Sequence, residues 1–234
     1  MPNVVHLAER PLYGFAQVDH LLGLPAGTAS RWIEGYERAG KTYDPVIRPA
    51  PTGELIANWG EFVETRLLAE YRDAGVPVLN MRPAIERLRE ELQTPYPLAS
   101  AQMWLHVEGK ELVRAIEEKV GLERRLRLVE VRTGQMLGWS RSVESFLKSL
   151  EWSDGDDTSD GDPTVVRLRP ESDIDQVVID PLRGFGEPVV RGVRTEVIAE
   201  LMRAGESTSG IADTYELDQA SVEAALRFEL RRAG

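Results

Sequence analysis

Cysteine is missing altogether from the 234 residues, which removes disulfides, thiolate nucleophiles and cysteine-ligated metals from consideration. Histidine is scarce: His6, His20 and His106 are far apart and never fall at metal-ligand spacing. No apolar stretch approaches the ~20 residues of a membrane span, and Met1 to Glu9 has no run that would serve as the core of a signal peptide. A cytoplasmic protein with no membrane contact is expected. The usual catalytic signatures are absent as well, with no P-loop, GxSxG elbow or HExxH pair. Gly184-Phe185-Gly186 is a lone GxG, and Val189 stands where a nucleotide fingerprint needs glycine. These absences point to a protein that is not an enzyme and that holds neither cofactor nor metal.

What is present is ordinary in amount and uneven in distribution. Hydrophobic residues make up 42% and charged residues 29%, enough for one large or two modest packed domains. The net charge is −11, which opposes broad attraction to nucleic acid. Much of that acidity is local. Glu151 to Asp162 carries six acids and no base, whereas residues 1–50 balance five acids against five bases. The stretch Ser153 to Pro163 is acidic, rich in Gly and Ser and without an apolar residue, which is the composition of a linker. Its spaced aspartates resemble a calcium loop only superficially, because the twelfth position from Asp154 is Val165 rather than glutamate.

Two stretches carry pattern. In the first, Phe15, Val18, Leu21 and Leu22 recur at helical spacing, Gly23 suits a tight turn, and Leu24, Ala29, Trp32 and Ile33 continue on a second helix. Apolar residues five and one before the glycine, and six and nine after it, mark the few points at which two steeply crossing helices touch. That is helix-turn-helix spacing. It also suits a helical hairpin used only for packing. Beyond it, Tyr43, Val46 and Ile47 with Leu55 and Ile56 suggest two short strands around a Pro/Gly turn, as in a wing with Lys41 and Arg48 on phosphates; an ordinary loop fits equally. The stretch from Tyr13 to Trp32 resembles the N-terminal helix-turn-helix of MerR-like regulators through Tyr13, Leu21, Leu22, Gly23, Thr28, Arg31 and Trp32. It departs at Asp19, where that family prefers a small residue. The resemblance implies that Ala26 to Arg31 enters the major groove, with Thr28 and Ser30 near bases or phosphates and Arg31 on phosphate.

The middle of the chain is read mostly from periodicity. Helices are expected over 59–74 and 82–93, with Gly75, Pro95 and Pro97 as breaks. Strands are expected at Met103–Val107, Leu126–Val131 and Thr164–Arg169, and a short helix at Val143–Leu150. Arg124, Arg125, Arg127 and Arg132 are most simply offset by neighbouring glutamates. Trp59, Trp104, Trp139 and Trp152 would suit a ligand pocket but are more simply core.

The second patterned stretch runs from Val177 to Leu230. Val177-Val178-Ile179 and Val189-Val190 flank a Pro/Gly-rich turn and read as a hairpin. Then Val197, Ile198, Leu201 and Met202 take up helical spacing to Gly205. Ser207 or Thr208 can cap a second helix with Ile211, Ala212 and Tyr215, and Asp218 a third with Val222, Ala225, Leu226 and Leu230. With Ile179-Asp180-Pro181, Phe185-Gly186, Pro188-Val189-Val190, Gly192 and Arg194 leading into Gly205, Ser207, Ile211 and Leu217, the stretch resembles a small bacterial domain of unknown biochemical role. That domain recurs as the C-terminal part of VapB-like antitoxins, which pair with PIN-domain ribonuclease toxins.

The expected architecture is mainly α with short β elements: an N-terminal winged-helix-like region over 1–150, an acidic linker over 151–163, and a hairpin plus trihelical bundle over 164–234. The resemblances imply an antitoxin that neutralises a PIN-type toxin and binds operator DNA to repress its own operon, as a homodimer. Arg191 and Arg194 are candidate toxin contacts, because guanidinium pairs bidentately with carboxylates; Arg191 could instead pair only with Glu187 or Glu196. Val222, Ala225, Leu226 and Phe228 are the candidate dimer interface. A ligand-responsive MerR-like regulator without a toxin partner is the alternative, and a scaffold that never touches DNA a weaker third.

Overall fold

The computed structural model describes residues 6–105, 108–131, 137–153 and 163–232. Strand β1 (Pro11–Gly14) runs directly into helix α1 (Phe15–Leu21), and a turn leads to α2 (Thr28–Ile33). A hairpin of β2 (Tyr36–Arg38) and β3 (Lys41–Tyr43) follows, and β4 (Ile56–Asn58) returns to pair antiparallel with β1. The helices α3 (Trp59–Asp73), α4 (Arg82–Leu92), α5 (Ala101–Leu105) and α6 (Gly109–Lys119) come next. The antiparallel pair β5 (Val129–Val131) and β6 (Leu137–Trp139) precedes α7 (Arg141–Ser149) and a second pair, β7 (Leu150–Trp152) with β8 (Val165–Leu168). The chain ends in the hairpin β9 (Val189–Val190) and β10 (Val193–Arg194), then α8 (Thr195–Arg203), α9 (Thr208–Tyr215) and α10 (Gln219–Arg232). The class is α+β, helix-dominated with short antiparallel strand pairs. No helix among the described residues is long and apolar enough to cross a membrane.

Helix α3 is the axis of the larger core. Its first turn is held by a capping box: Asn58 Oδ1 accepts from the Glu61 amide at 2.9 Å, and Glu61 Oε2 accepts from the Asn58 amide at 3.0 Å. Nearly every residue from Trp59 to Tyr71 is buried, so its polar side chains must find partners inside the protein. Glu61 meets Arg48, and Arg66 meets Glu70 at 2.6 Å. Glu64 accepts from the Leu98 amide at 2.8 Å, and complete burial pushes its carboxyl up to about 8. On α6, Glu117 accepts from the Leu128 amide, and burial raises its carboxyl to about 7. Trp59, Trp104 and Trp139 are core: Trp59 donates to the Val165 carbonyl, Trp104 donates to the Leu98 carbonyl, and Trp104 and Trp139 stack edge-on at 5.0 Å.

The smaller core joins Ile174, Val177, Val190 and Ile198 to Ile211, Leu217, Val222, Ala225 and Phe228. Its helices start where the caps predict. Ser207 Oγ accepts from the Gly210 amide at 3.0 Å, and Asp218 Oδ1 accepts from the Ser221 amide at 2.7 Å. Backbone bridges tie down the segment that enters the smaller core: Leu168 pairs with Ile179 within the larger core, and Val178 pairs with Val189.

Several expectations are corrected. The C-terminal hairpin closes between Val189-Val190 and Val193-Arg194 over Arg191-Gly192, both at positive φ, while Val178 adds only one bridge. Val46 and Ile47 form no strand, because both amides donate to the Trp32 carbonyl and Pro45 and Pro49 flank them. Residues 101–105 are helical rather than extended, since a short apolar run fixes no period; Val107 lies outside the described residues, as do Arg132 and 154–162 of the acidic stretch. Helix α6 has no counterpart among the expectations.

A candidate nucleic-acid interface

The N-cap of helix α2 is Gly27, which has no side chain to cap it. The cap comes instead from the preceding helix. Asp19, buried on α1, accepts from the Gly27 amide through Oδ2 at 2.6 Å and from the Ala29 amide through Oδ1 at 2.7 Å. One carboxylate thereby fixes both the turn and the angle at which α2 leaves it, and it lies near the positive end of the helix dipole. The aspartate that departs from the MerR-like pattern is thus the residue that ties the two helices together. Leu24 is sealed beneath the turn, with its amide donating to the Asp19 carbonyl at 2.8 Å.

The exposed side of this unit is small and cationic. Ala26, Gly27 and Arg31 are exposed, and Ser30 is half-buried. Thr28, expected near bases, is buried, and its hydroxyl accepts from Arg31 Nη2 at 3.1 Å, so it positions Arg31 rather than facing outward. The hairpin β2–β3 turns over Ala39-Gly40, both at positive φ as a type I′ turn requires. Tyr36 and Tyr43 stack at 4.6 Å at its base, and Lys41 Nζ lies 5.1 Å from the Tyr43 ring. Arg38 and Lys41 are exposed beside the tip, and no ion pair is found for Arg31, Arg38 or Lys41 among the described residues. Arg38 was missed in the sequence because its pairing opposite Lys41 depends on the register of that hairpin.

Arg48 is the main correction. It is buried, and its guanidinium pairs with Glu61 at 2.6 Å and with Glu34, while also donating to Thr52 Oγ1 at 2.6 Å and to the carbonyls of Glu54 and Ile56. Burial alone would weaken its charge, but the Glu61 and Glu34 carboxylates raise its pKa. Burial likewise disfavours charge on Glu34, yet the Gly53 and Thr52 amides and Arg48 hold its carboxyl below the ordinary value. Arg48 therefore joins the end of α2 to the start of α3 and has no donor left for phosphate.

The C-terminal bundle sits against this unit. Tyr13 Oη donates to the Gly186 carbonyl at 2.7 Å, and burial, reinforced by Glu187 and Asp180, pushes the phenol up. Gly186 has φ +77, and a Cβ there would lie 2.5 Å from Tyr13 Oη, so the approach requires glycine. Gln17 Nε2 donates to Glu187 at 2.8 Å. Arg232 stacks 3.7 Å from the Phe228 ring and donates to the Leu21 carbonyl at 2.9 Å, closing the last turn of α1. A cleft of about 600 Å³ lies between the helix-turn-helix and Arg231 and Arg232, with Phe15, Leu24 and Leu55 among its walls. A smaller one of about 220 Å³ lies at the seam between His20, Glu187, Arg194 and Glu229.

Of the proposed partner contacts, Arg191 and Arg194 are exposed and loosely paired, with Asp218 at 3.7 Å and Glu196 at 4.0 Å. Arg191 thus faces Asp218, not Glu187 or Glu196. The expected dimer interface is corrected: Val222, Ala225 and Phe228 fill the bundle's own core, and Leu226 is half-buried, so this stripe is already covered within one chain. No group of three or more His, Asp or Glu suited to a metal ion occurs among the described residues.

Residues 177–228 match the family model described as protein of unknown function DUF433. The uncharacterized protein Rv2308 of Mycobacterium tuberculosis is 38% identical over 230 residues, covering 97% of this chain and 93% of the relative. A protein of the same organism named "putative antitoxin VapB45" is 31% identical over 220 residues, 88% of each chain. The crystal structure of Rv2018 from Mycobacterium tuberculosis superposes with a TM-score of 0.72 at 28% identity, covering 92% of this chain and 97% of that one.

Proposed function

The chain belongs to the family that includes Rv2308 and VapB45 of Mycobacterium tuberculosis, and from that premise we propose that it is the antitoxin of a toxin–antitoxin pair. The observation that carries the reading is its likeness, over 88% of its length, to a relative named "putative antitoxin". In finer terms, the chain neutralises a PIN-type ribonuclease of the VapBC kind and represses its own operon as a dimer on operator DNA. It performs no catalysis of its own.

The DNA-reading part lies within residues 1–150 and the partner-associated part within 164–234, joined by the acidic segment 151–163. The MerR-like helix-turn-helix presents Ser30 and Arg31, and the hairpin acts as its wing with Arg38 and Lys41 on phosphates. Among the described residues these three cations have no carboxylate partner, in a chain of net charge −11, which supports a phosphate-facing role. The ligand-sensing alternative gains no support from the tryptophans: Trp59, Trp104 and Trp139 are buried in the larger core, and Trp152 is half-buried against it.

Two measurements test this reading. Co-expression with the adjoining reading frames should copurify a nuclease that is toxic alone; a chain that purifies without such a partner removes it. Titration of the fragment upstream of its own gene should give salt-dependent binding that weakens for Arg31→Ala and Lys41→Ala, each lowering the salt slope by about 1. Unchanged affinity and slope in both variants would remove the proposed DNA face.

A further inference from the structure

Between the hairpin β2–β3 and strand β4 the chain makes a loop, and every residue from Pro49 to Leu55 is exposed. This loop is nevertheless fixed from inside the fold. Arg48 Nη1 donates to Thr52 Oγ1 at 2.6 Å and to the Glu54 carbonyl at 3.0 Å, and Nη2 donates to the Ile56 carbonyl at 2.9 Å. Glu34, at the end of α2, accepts from the Thr52 amide at 2.5 Å and from the Gly53 amide. The buried ion triad is therefore also the mount of the loop, and little ordering entropy remains to be lost when the loop binds.

The loop carries an apolar side chain that the fold does not use. Leu55 is 73% exposed and belongs to neither core. It shares the cleft of about 600 Å³ with Ala26 and Ser30 at the start of α2, and with Phe15 and Leu24. The charged groups of that cleft are engaged within the chain: Asp19 with the Gly27 and Ala29 amides, Arg231 with Glu171 and Asp173, and Arg232 with Glu171 and the Leu21 carbonyl. Apart from the exposed His20, the side chains left to meet an occupant are apolar or small.

The charge on the rest of this unit identifies the occupant. Arg31 follows Ser30 on α2. Arg38 and Lys41 pair across the hairpin on the face of the stacked Tyr36 and Tyr43, while Glu37 and Thr42 take the opposite face. None of the three cations has an ion pair among the described residues, which suits them to phosphate. Glu54, exposed beside Leu55, is repelled by phosphate; at a DNA face it meets only base edges, where a carboxylate accepts from the cytosine amino group. An apolar side chain in the major groove packs on the thymine methyl group.

We propose that Leu55 is a base-reading residue: with Ala26 it forms an apolar slot beside α2 that accepts the C5-methyl group of thymine in the major groove. The proposal rests on the DNA-reading part of the proposed function and deepens it by naming a base. It also gives the Arg48 triad a second purpose, that of holding Leu55 in register with Ser30 and Arg31.

The test titrates the full chain against the fragment upstream of its own gene, prepared once with thymine and once with uracil, which lacks only the methyl group. Burying one methyl group corresponds to about fourfold in affinity, so wild type should bind the uracil fragment at least about fourfold more weakly. Leu55→Ala should bind the thymine fragment more weakly by a similar factor, should bind the two fragments within about twofold of each other, and should keep the wild-type urea midpoint. Wild-type affinity in Leu55→Ala, or weakened binding with the preference for thymine intact, would overturn the slot and leave DNA binding standing. A lowered urea midpoint would show that Leu55 packs within the fold and would also overturn it. Dissociation of a homodimer in Leu55→Ala, read by light scattering, would assign the residue to a second copy instead. A wild-type chain without salt-dependent binding to either fragment would remove the DNA face and the slot together.

Discussion

Replacing Asp19 with alanine isolates the contribution of the cross-helix cap. The substitution removes the acceptor of two short hydrogen bonds, from the Gly27 amide at 2.6 Å and the Ala29 amide at 2.7 Å. Hydrogen bonds to a charged group contribute ~1.5–3 kcal/mol each. Gly27 is exposed, so water replaces much of its loss, whereas Ala29 is buried and its amide stays unpaired, at a cost of ~1–3 kcal/mol. Loss of a helix cap alone costs about 1 kcal/mol. Together these place Asp19→Ala at about 2–4 kcal/mol, read as a shift in the urea midpoint at unchanged m-value. Asp19→Asn keeps one acceptor oxygen for two donors and should fall between. Because the same bonds aim α2, operator affinity should fall in both variants even under conditions where they remain folded. A loss below about 0.5 kcal/mol in Asp19→Ala would refute the view that this carboxylate organises the helix-turn-helix.

Arg48→Met should cost about 3–5 kcal/mol, because Glu34 and Glu61 are left facing each other without their cation; adding Glu34→Gln and Glu61→Gln should recover much of it in the same urea assay, and no recovery would contradict the buried triad. Gly186→Ala places a side chain at φ +77 against Tyr13 Oη and should destabilise by about 2–4 kcal/mol; Tyr13→Phe in the same chain should return part of the loss, and purely additive losses would argue against the contact. Burial raises the carboxyl of Glu64 to about 8 against an ordinary 4.5, so the folded chain holds a proton that the unfolded chain has released. That contribution is fully present below pH 4.5 and is lost as pH rises through about 8, with Arg89 drawing the carboxyl down and Glu61 pushing it further up. Glu64→Gln should flatten the decline in unfolding free energy, read from the urea midpoint and m-value, between pH 5 and 8.5 by about a few kcal/mol, since each tenfold change in proton affinity corresponds to ~1.4 kcal/mol. A smaller decline from Glu117 should remain; a pH profile identical to wild type would refute the assignment.

Much of the fold was legible because its helices carry both period and punctuation. Ser207 and Asp218 cap where a helix begins, and Gly75 and Gly205 follow where one ends. What was illegible is non-local. Nothing near Arg48 in sequence says that Glu34 and Glu61 will enclose it, so a buried ion triad reads as a surface cation. Val222, Ala225 and Phe228 read as a free stripe because the residues that cover them, Ile174, Val177 and Ile198, lie upstream on separate elements. Asp19 read as a departure because its partners, two backbone amides, carry no sequence signature.

The most direct test of the antitoxin assignment is growth rescue. The adjoining nuclease-like frame is induced alone, with this chain, and with this chain carrying Arg31→Ala to separate neutralisation from repression. The account predicts growth arrest by the neighbour alone, full rescue by the wild-type chain, and equal rescue by Arg31→Ala with loss of promoter repression. Continued arrest despite equal amounts of folded wild-type chain, or no arrest from either neighbouring frame expressed alone, would contradict it.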